Sequence, residues 1–319
     1  MKASLTGGGL PASGLERWLY ALKPASWPKL FVPALFGQMI GASGANGLDL
    51  PAMGWGLAFT MLGLGFIVLL NDWGDREVDA IKRNMFPDAC SPKTIPDRIL
   101  DARAVGIAGL FFGGATLLVA AGAELALRRP LAFEAGLFSM LLFVAYTLPP
   151  IRLNYRGGGE LLEMLGVGMA LPLYNAYLQA GAIKPSAWLW VAGFSALSLA
   201  SGVASGLSDE QSDRAGGKHT FASTFGNAAA RRLTEVCVLL GAGVWLAASI
   251  GRPDWVPLSA AIPAVAIVLW NFLAMRKVSN AAVTNAFKAQ GEYKRFLHRA
   301  IWHSTTVAAV LLWLRQGWT

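Results

Sequence analysis

The run AMGWGLAFTMLGLGFIVLLNDWGDREVD, residues 52–79, decides how the rest of the chain is read. From Ala52 to Asn71 it carries no charge, and it then delivers Asp72, Asp75, Arg76, Glu77 and Asp79 in quick succession. An uncharged stretch of about 20 residues is what a helix needs to cross the hydrocarbon of a bilayer. Residues 52–72 are therefore predicted to span a membrane and to end in an acidic cluster. Similar apolar runs recur at 26–44, 104–123, 131–150, 160–180, 186–206, 233–250, 256–275 and 300–316. No repeated ten-residue alternation suggests a β-barrel. The predicted fold class is all-α, a polytopic membrane protein with a bundle of about nine transmembrane helices.

Composition points the same way. Of 319 residues, 55% are hydrophobic and only 14% are charged, against roughly 25% charged in a soluble domain. The mean hydropathy is +0.47. These values exclude a disordered chain and argue against a soluble enzyme. Cys90 and Cys237 are far apart and lack metal spacing, which excludes a disulfide scaffold or zinc ribbon. The residues before Glu16 and Arg17 hold no apolar h-region, so no cleavable signal peptide is expected. With no linker or low-complexity tract, the chain reads as one membrane-embedded domain, 1–319, whose residues 1–25 form a cytoplasmic N-terminal segment.

The net charge of +8 could suggest nucleic acid, but its distribution suggests a membrane instead. Sorting the connections by side puts 22 of the 27 Lys and Arg residues on the side of the N-terminus. The other side holds Arg128, Arg129, Lys184, Arg252 and Arg315. This positive-inside asymmetry predicts a cytoplasmic N-terminus and an external C-terminus, in an integral protein of a bacterial cytoplasmic membrane, with no nucleic-acid partner.

Two acidic clusters fall on the predicted cytoplasmic side. In the first, a continuing helix would place Asp72, Asp75 and Asp79 at i, i+3 and i+7 on one face, with Asn71 one turn before Asp75. In the second, Asp209 and Asp213 are spaced i, i+4. A pair of like charges 4 Å apart costs about 4 kcal/mol at an effective dielectric of 20, so such a cluster calls for protonation or a counter-charge. Mg²⁺ favours a few carboxylates together with the oxygens of a phosphate. Two clusters at equivalent helix ends thus read as a metal clamp for a diphosphate. The plainer reading is a pair of solvated acidic caps beside Arg76, Lys82 and Arg83.

At these residues the sequence resembles the UbiA-type intramembrane prenyltransferases. The family's Asn-Asp-x-x-Asp-x-x-x-Asp motif stands complete as Asn71, Asp72, Asp75 and Asp79, and its Asp-x-x-x-Asp motif as Asp209 and Asp213. DRAGGKHT (Asp213–Thr220) is similar to a run of the 1,4-dihydroxy-2-naphthoate polyprenyltransferases, and YTLPPIRLNYRGGGE (Tyr146–Glu160) to a loop of the quinone and chlorophyll branches. The resemblance implies a nine-helix bundle with a central cavity that transfers a prenyl group from an isoprenyl diphosphate to an aromatic acceptor. It assigns Mg²⁺ to Asn71, Asp72, Asp75, Asp79, Asp209 and Asp213. It also implies a place in lipid-quinone synthesis.

Two segments depart from the family pattern. Ser91–Pro96 stands where many members carry Arg-Pro-Leu, and Pro150 stands where many carry a lysine after Tyr146, leaving Arg152 to supply that charge. Asp75, Asp213, Lys218 and Arg152 are the expected catalytic residues. Asn71, Lys93, Tyr146, Arg156 and Arg214 are expected around diphosphate and acceptor, although positive-inside charges need no substrate to explain them. Polar Tyr174, Asn175 and Gln179 on the fifth span either contact the acceptor or join helices. A transporter using intramembrane carboxylates is the rival from another class; carboxylates at helix ends rather than mid-span favour the enzyme.

Overall fold

A computed structural model describes residues 13–45 and 47–316. The N-terminal residues on which the signal-peptide expectation partly rests, 1–12, lie outside the described residues. Those described build an α-helical protein: α1 (Gly14–Ala21), α2 (Pro28–Ser43), α3 (Leu50–Met85), α4 (Ala102–Leu127), α5 (Ala132–Thr147), α6 (Gly159–Ala180), α7 (Pro185–Ser205), α8 (Glu210–Ala215), α9 (Phe221–Phe225), α10 (Asn227–Gly251), α11 (Leu258–Ser279) and α12 (Phe287–Gln316).

Six of these are long and apolar enough to cross a membrane: α3, α4, α6, α7 with the turn that follows it, α10 and α11. Helix α5 is apolar but shorter, with 16 residues. Of the sequence expectations, the first and last spans fall short on this measure for different reasons. Helix α2 has only 16 residues. Helix α12 has 30, but its first half carries Lys288, Glu292, Lys294, Arg295 and Arg299.

Helix starts follow local capping chemistry. Asp49 accepts from Ala52 N at 3.0 Å to cap α3, with Pro51 in the first turn, where its missing N–H costs nothing. Asp101 caps α4 by accepting from Arg103 N at 2.8 Å. Helix α3 runs for 36 residues without a break, roughly 54 Å at 1.5 Å per residue. That exceeds the ~30 Å hydrocarbon core by more than four turns, length enough for its acidic end to project past a membrane as part of a rigid helix.

Helix α3 packs on α4, α7 on α10, α11 on α12, and α2 on the second half of α6. The last contact is backbone to backbone. A Cβ on Gly37 would lie 2.1 Å from Pro172 O, and one on Gly41 2.5 Å from Ala176 O. This Gly-x-x-x-Gly pair brings the two helices together as small residues do in membranes. One large apolar core runs through α2, α6, α7 and α10–α12, and a second through α2–α6. Leu118 and Leu125 on α4, Leu240 on α10 and Trp270 on α11 point outward and are exposed, as lipid-facing positions would be. Gln179 exchanges hydrogen bonds with the backbone of Asp49, at 2.9 and 2.8 Å, and Asn175 accepts from Gln38 at 2.6 Å. These fifth-span residues therefore join helices.

Candidate active site

The projecting end of α3 and the short helix α8 face each other across a polar cavity of about 180 Å³. Asn71, Asp72, Asp75, Asp79, Asp209 and Asp213 all line it, with Lys23, Lys82, Lys93 and Lys218. Both motifs found in the sequence thus converge on one space. The cavity shares Lys23, Asn71, Asp75, Asp209, Asp213 and Lys218 with a second cavity of about 380 Å³, whose walls include Phe59, Leu64, Phe66, Met140, Phe143 and Tyr146. A charged chamber therefore leads directly into an apolar one.

Three of the five aspartates are buried rather than solvated. Asp72, Asp75 and Asp213 are 3%, 7% and 3% exposed. Four of the five are held by lysines. Lys23 pairs with Asp72, Lys82 with Asp209 and Lys93 with Asp79, while Lys218 Nζ lies 2.7 Å from Asp75 Oδ2. Thr94 donates to Asp72 at 2.6 Å, and the amides of Asn71 and Asn154 each donate to Asp75 at 3.5 Å. Asp213 makes no ion pair among the described residues; its hydroxyl partner is Thr220, at 3.3 Å. Burial, with Asp209 and Asp75 nearby, pushes its carboxyl up to about 7, against the pull of Lys218. Burial alone would depress the ammonium groups of Lys218 and Lys93. Asp75 and Asp213 outweigh it at Lys218, and Asp79 and Asp209 at Lys93, so both are held above the ordinary lysine range.

Lys218 is placed by a turn. After α8, Gly217 adopts a left-handed φ of 68°, which a side chain would strain. Lys218 N then donates back to Asp213 O at 2.8 Å. His219 N donates to Tyr155 O at 3.3 Å, tying this turn to the loop that precedes α6. Lys93 arrives differently: Arg83 donates to Asp97 at 3.0 Å and Lys93 N to Asp97 at 2.6 Å, folding the loop after α3 back onto the helix.

The structure does not gather every expected residue. Tyr146 lines the apolar cavity. Arg152, Arg156 and Arg214 line neither cavity. Arg152 donates to Gly74 O at 2.6 Å and lies 3.5 Å over the Tyr155 ring, bracing α3 within its motif. Arg156 is exposed. Arg214 donates to Ser223 O at 3.0 Å and pairs with Glu210. Conversely, Lys23, Lys82, Thr94 and Asn154 went unassigned in the sequence. Lys82 carried a signal, standing three residues after Asp79 on the same helix. Lys23 is 49 residues before its partner, and no local pattern could mark it.

Among the described residues no three acidic, His or Cys side chains converge as a ready metal cage. The donor chemistry nevertheless fits a hard cation: five carboxylates and an amide oxygen line one small chamber, and the buried Asp213 makes no ion pair among the described residues. Mg²⁺ suits such oxygen donors when a phosphate completes its shell.

Residues 30–300 match the UbiA prenyltransferase family. The chain belongs to that family. Within it, a UbiA homolog from Archaeoglobus fulgidus, solved with DMAPP and Mg²⁺, superimposes with a TM-score of 0.67 at 15% identity, covering 89% of this chain and 99% of that one. A UbiA homolog from Aeropyrum pernix gives 0.63 at 14%, covering 91% and 98%. At these identities the likeness establishes the fold. The chloroplastic chlorophyll synthase of Arabidopsis thaliana is 25% identical over 245 residues, 74% of this chain. That of Oryza sativa subsp. japonica is 24% identical over 214 residues, 65% of this chain. The chain spans 60% and 54% of those two relatives.

Proposed function

We propose that this UbiA-family protein transfers a prenyl group from an isoprenyl diphosphate to an aromatic acceptor within a membrane, with Mg²⁺ as cofactor. The observation that carries this reading is the joining of a chamber lined by both aspartate motifs to an apolar cavity. The first suits a metal-bound diphosphate and the second a prenyl tail. The solved Archaeoglobus fulgidus homolog with GPP and Mg²⁺ supports the pairing of ligand and metal.

Asn71, Asp72, Asp75, Asp79, Asp209 and Asp213 would hold the metal. When bound, Mg²⁺ neutralises charge that develops on the departing diphosphate. Lys23, Lys82, Lys93 and Lys218 stand around the same chamber, so each can offer its ammonium to a phosphate oxygen. Phe66, Phe143 and Tyr146 line the adjoining cavity, where aromatic rings can stabilise an allylic cation and keep water from it.

The proposed acceptor is an aromatic ring of the dihydroxynaphthoate kind, in lipid-quinone synthesis. It rests on the Asp213–Thr220 and Tyr146–Glu160 runs. A chlorophyll-synthase-type reaction is the second reading, favoured by the two curated relatives, which form a different branch. We further propose nine spans, counting α2, α5 and α12 with the six apolar helices, in a bacterial cytoplasmic membrane. The N-terminus would be cytoplasmic and the C-terminus external. Purified protein supplied with Mg²⁺, a panel of prenyl diphosphates and 1,4-dihydroxy-2-naphthoate or 4-hydroxybenzoate tests the reaction. EDTA should abolish turnover and added Mg²⁺ restore it. EDTA-resistant transfer would reject the metal clamp, and turnover of 4-hydroxybenzoate but not the naphthoate would reject the naphthoate branch.

A further inference from the structure

The wall of the larger cavity carries one ion pair that is not part of the aspartate–lysine chamber. Lys29 Nζ, on α2, lies 2.7 Å from Glu163 Oε1, on α6. Both residues line the cavity, and the Glu163 side chain is only 13% exposed. The contact lacks hydrogen-bond geometry, because Oε1 is buried without a hydrogen-bond partner. An ionised carboxylate can accept about four hydrogen bonds, and burying one without them is costly. Its neighbour Glu160 is different: it accepts from Phe221 N at 2.6 Å and so ties two segments together.

Two local features adjoin the Glu163 carboxylate. Glu163 immediately precedes a π-helical stretch, Met164–Ala170, a departure that recurs at functional sites. Opposite it, α7 presents Gly202, where a Cβ would sit 3.3 Å from Oε1 and 3.6 Å from Oε2. The missing side chain leaves the carboxylate its room. Tyr146 lines the same cavity, as do Asp75 and Lys218. Glu163 therefore shares one cavity with Asp75, Asp213 and Lys218 of the diphosphate chamber, and an acceptor held there can meet the allylic carbon.

We propose that Glu163, paired with Lys29, receives the un-ionised hydroxyl of a hydroxyl-bearing ring and takes its proton during transfer. This inference rests on the prenyl-transfer reading and adds to it the acceptor's chemical class and a base. The O–H proton passes to Glu163 as an electron pair of the ring forms the bond to the allylic carbon. The bond from that carbon to diphosphate oxygen breaks, and its electron pair leaves on the diphosphate. Loss of the ring carbon's proton to water restores aromaticity, and the proton held by Glu163 returns to the ring oxygen. An acceptor attacking through a bare carboxylate would instead meet the Glu163 charge.

The test uses full-length protein in detergent with Mg²⁺, geranylgeranyl diphosphate, and 1,4-dihydroxy-2-naphthoate or 4-hydroxybenzoate. It measures diphosphate binding separately from acceptor kcat and KM. Glu163→Gln should bind the diphosphate within about twofold of wild type, lose at least ~10²-fold in kcat as expected for removing a positioned base, and raise the acceptor KM. Glu163→Asp should recover part of the rate, and Gly202→Ala, which crowds the carboxylate without removing it, should raise acceptor KM while sparing diphosphate binding. Wild-type kcat and acceptor KM in Glu163→Gln would overturn the inference alone. So would a loss of diphosphate binding in that variant, which would mark the pair as a helix tie, or a wild type that binds diphosphate but uses neither hydroxylated probe. A wild type that neither binds the diphosphate nor transfers it would overturn the prenyl-transfer reading itself.

Discussion

Asp75 and Asp213 belong to the two motifs and face the same chamber, yet replacing Asp75 with Asn should lower stability while the same change at Asp213 should not. Asp75 Oδ2 lies 2.7 Å from Lys218 Nζ, and the two side chains are 10% and 11% exposed. Removing one partner of a buried pair leaves an uncompensated charge and costs ~3–5 kcal/mol. Lys218 retains the field of Asp213 and lies 5.4 Å from the centroid of the Tyr155 ring. The loss should therefore sit at the low end, about 3 kcal/mol. Asp213 has no such partner, and burial already pushes its carboxyl up to about 7. Asp213→Asn removes a charge that the metal-free protein accommodates poorly, so it should leave stability unchanged or raise it. Thermal unfolding in detergent without divalent metal, followed by tryptophan fluorescence, would show Asp75→Asn melting several degrees below wild type and Asp213→Asn at or above it. Adding Lys218→Met to Asp75→Asn should recover most of the loss, because it removes the stranded charge. With Mg²⁺ present, both single variants should lose ~10²-fold or more in turnover, the scale of one strong electrostatic contact in a transition state. Equal destabilisation by the two single variants, or no recovery in the double variant, would refute the assignment of Lys218 to Asp75.

Three other outcomes follow from the same geometry. Metal binding requires an ionised ligand. Because the Asp213 carboxyl is raised to about 7 in the metal-free protein, Mg²⁺ must displace a proton below that pH. The thermal shift produced by Mg²⁺ should be larger at about pH 8 than at about pH 6, and Asp213→Asn should flatten the difference. Gly41→Val should destabilise by roughly 1–3 kcal/mol or more through overpacking, since its Cβ would meet Ala176 O at 2.5 Å; Gly54→Ala, whose Cβ meets nothing within 4 Å, is the matched control in the same melting assay. Reporter fusions should read cytoplasmic at Pro87 and external at Lys184, and the reverse pattern would invert the orientation proposed from the charge asymmetry.

The membrane class and the two carboxylate motifs were legible in the residues because they rest on local quantities. Twenty apolar residues make a span whatever surrounds them, and Asp72, Asp75 and Asp79 share a face once the helix continues. The unbroken α3 is that continuation. Length and apolarity pick out six helices and leave α2 and α12 aside, because these measures ignore neighbours. Helix α2 is short, but Gly37 and Gly41 seat it on the backbone of α6, a contact between residues more than 130 positions apart. Which cations serve the carboxylates was equally invisible. Arg152 and Arg156 sit in a suggestive run, yet a left-handed turn at Arg152 sends its guanidinium to Gly74 O and the Tyr155 ring, while Arg156 remains exposed. Lys23 and Lys82 reach the chamber instead, one from beyond α1 and one from the far end of α3. Charge counting assigns cations to a side of the membrane. Pairing one with a given carboxylate depends on a few ångströms of placement, and that is fixed only when distant helices pack.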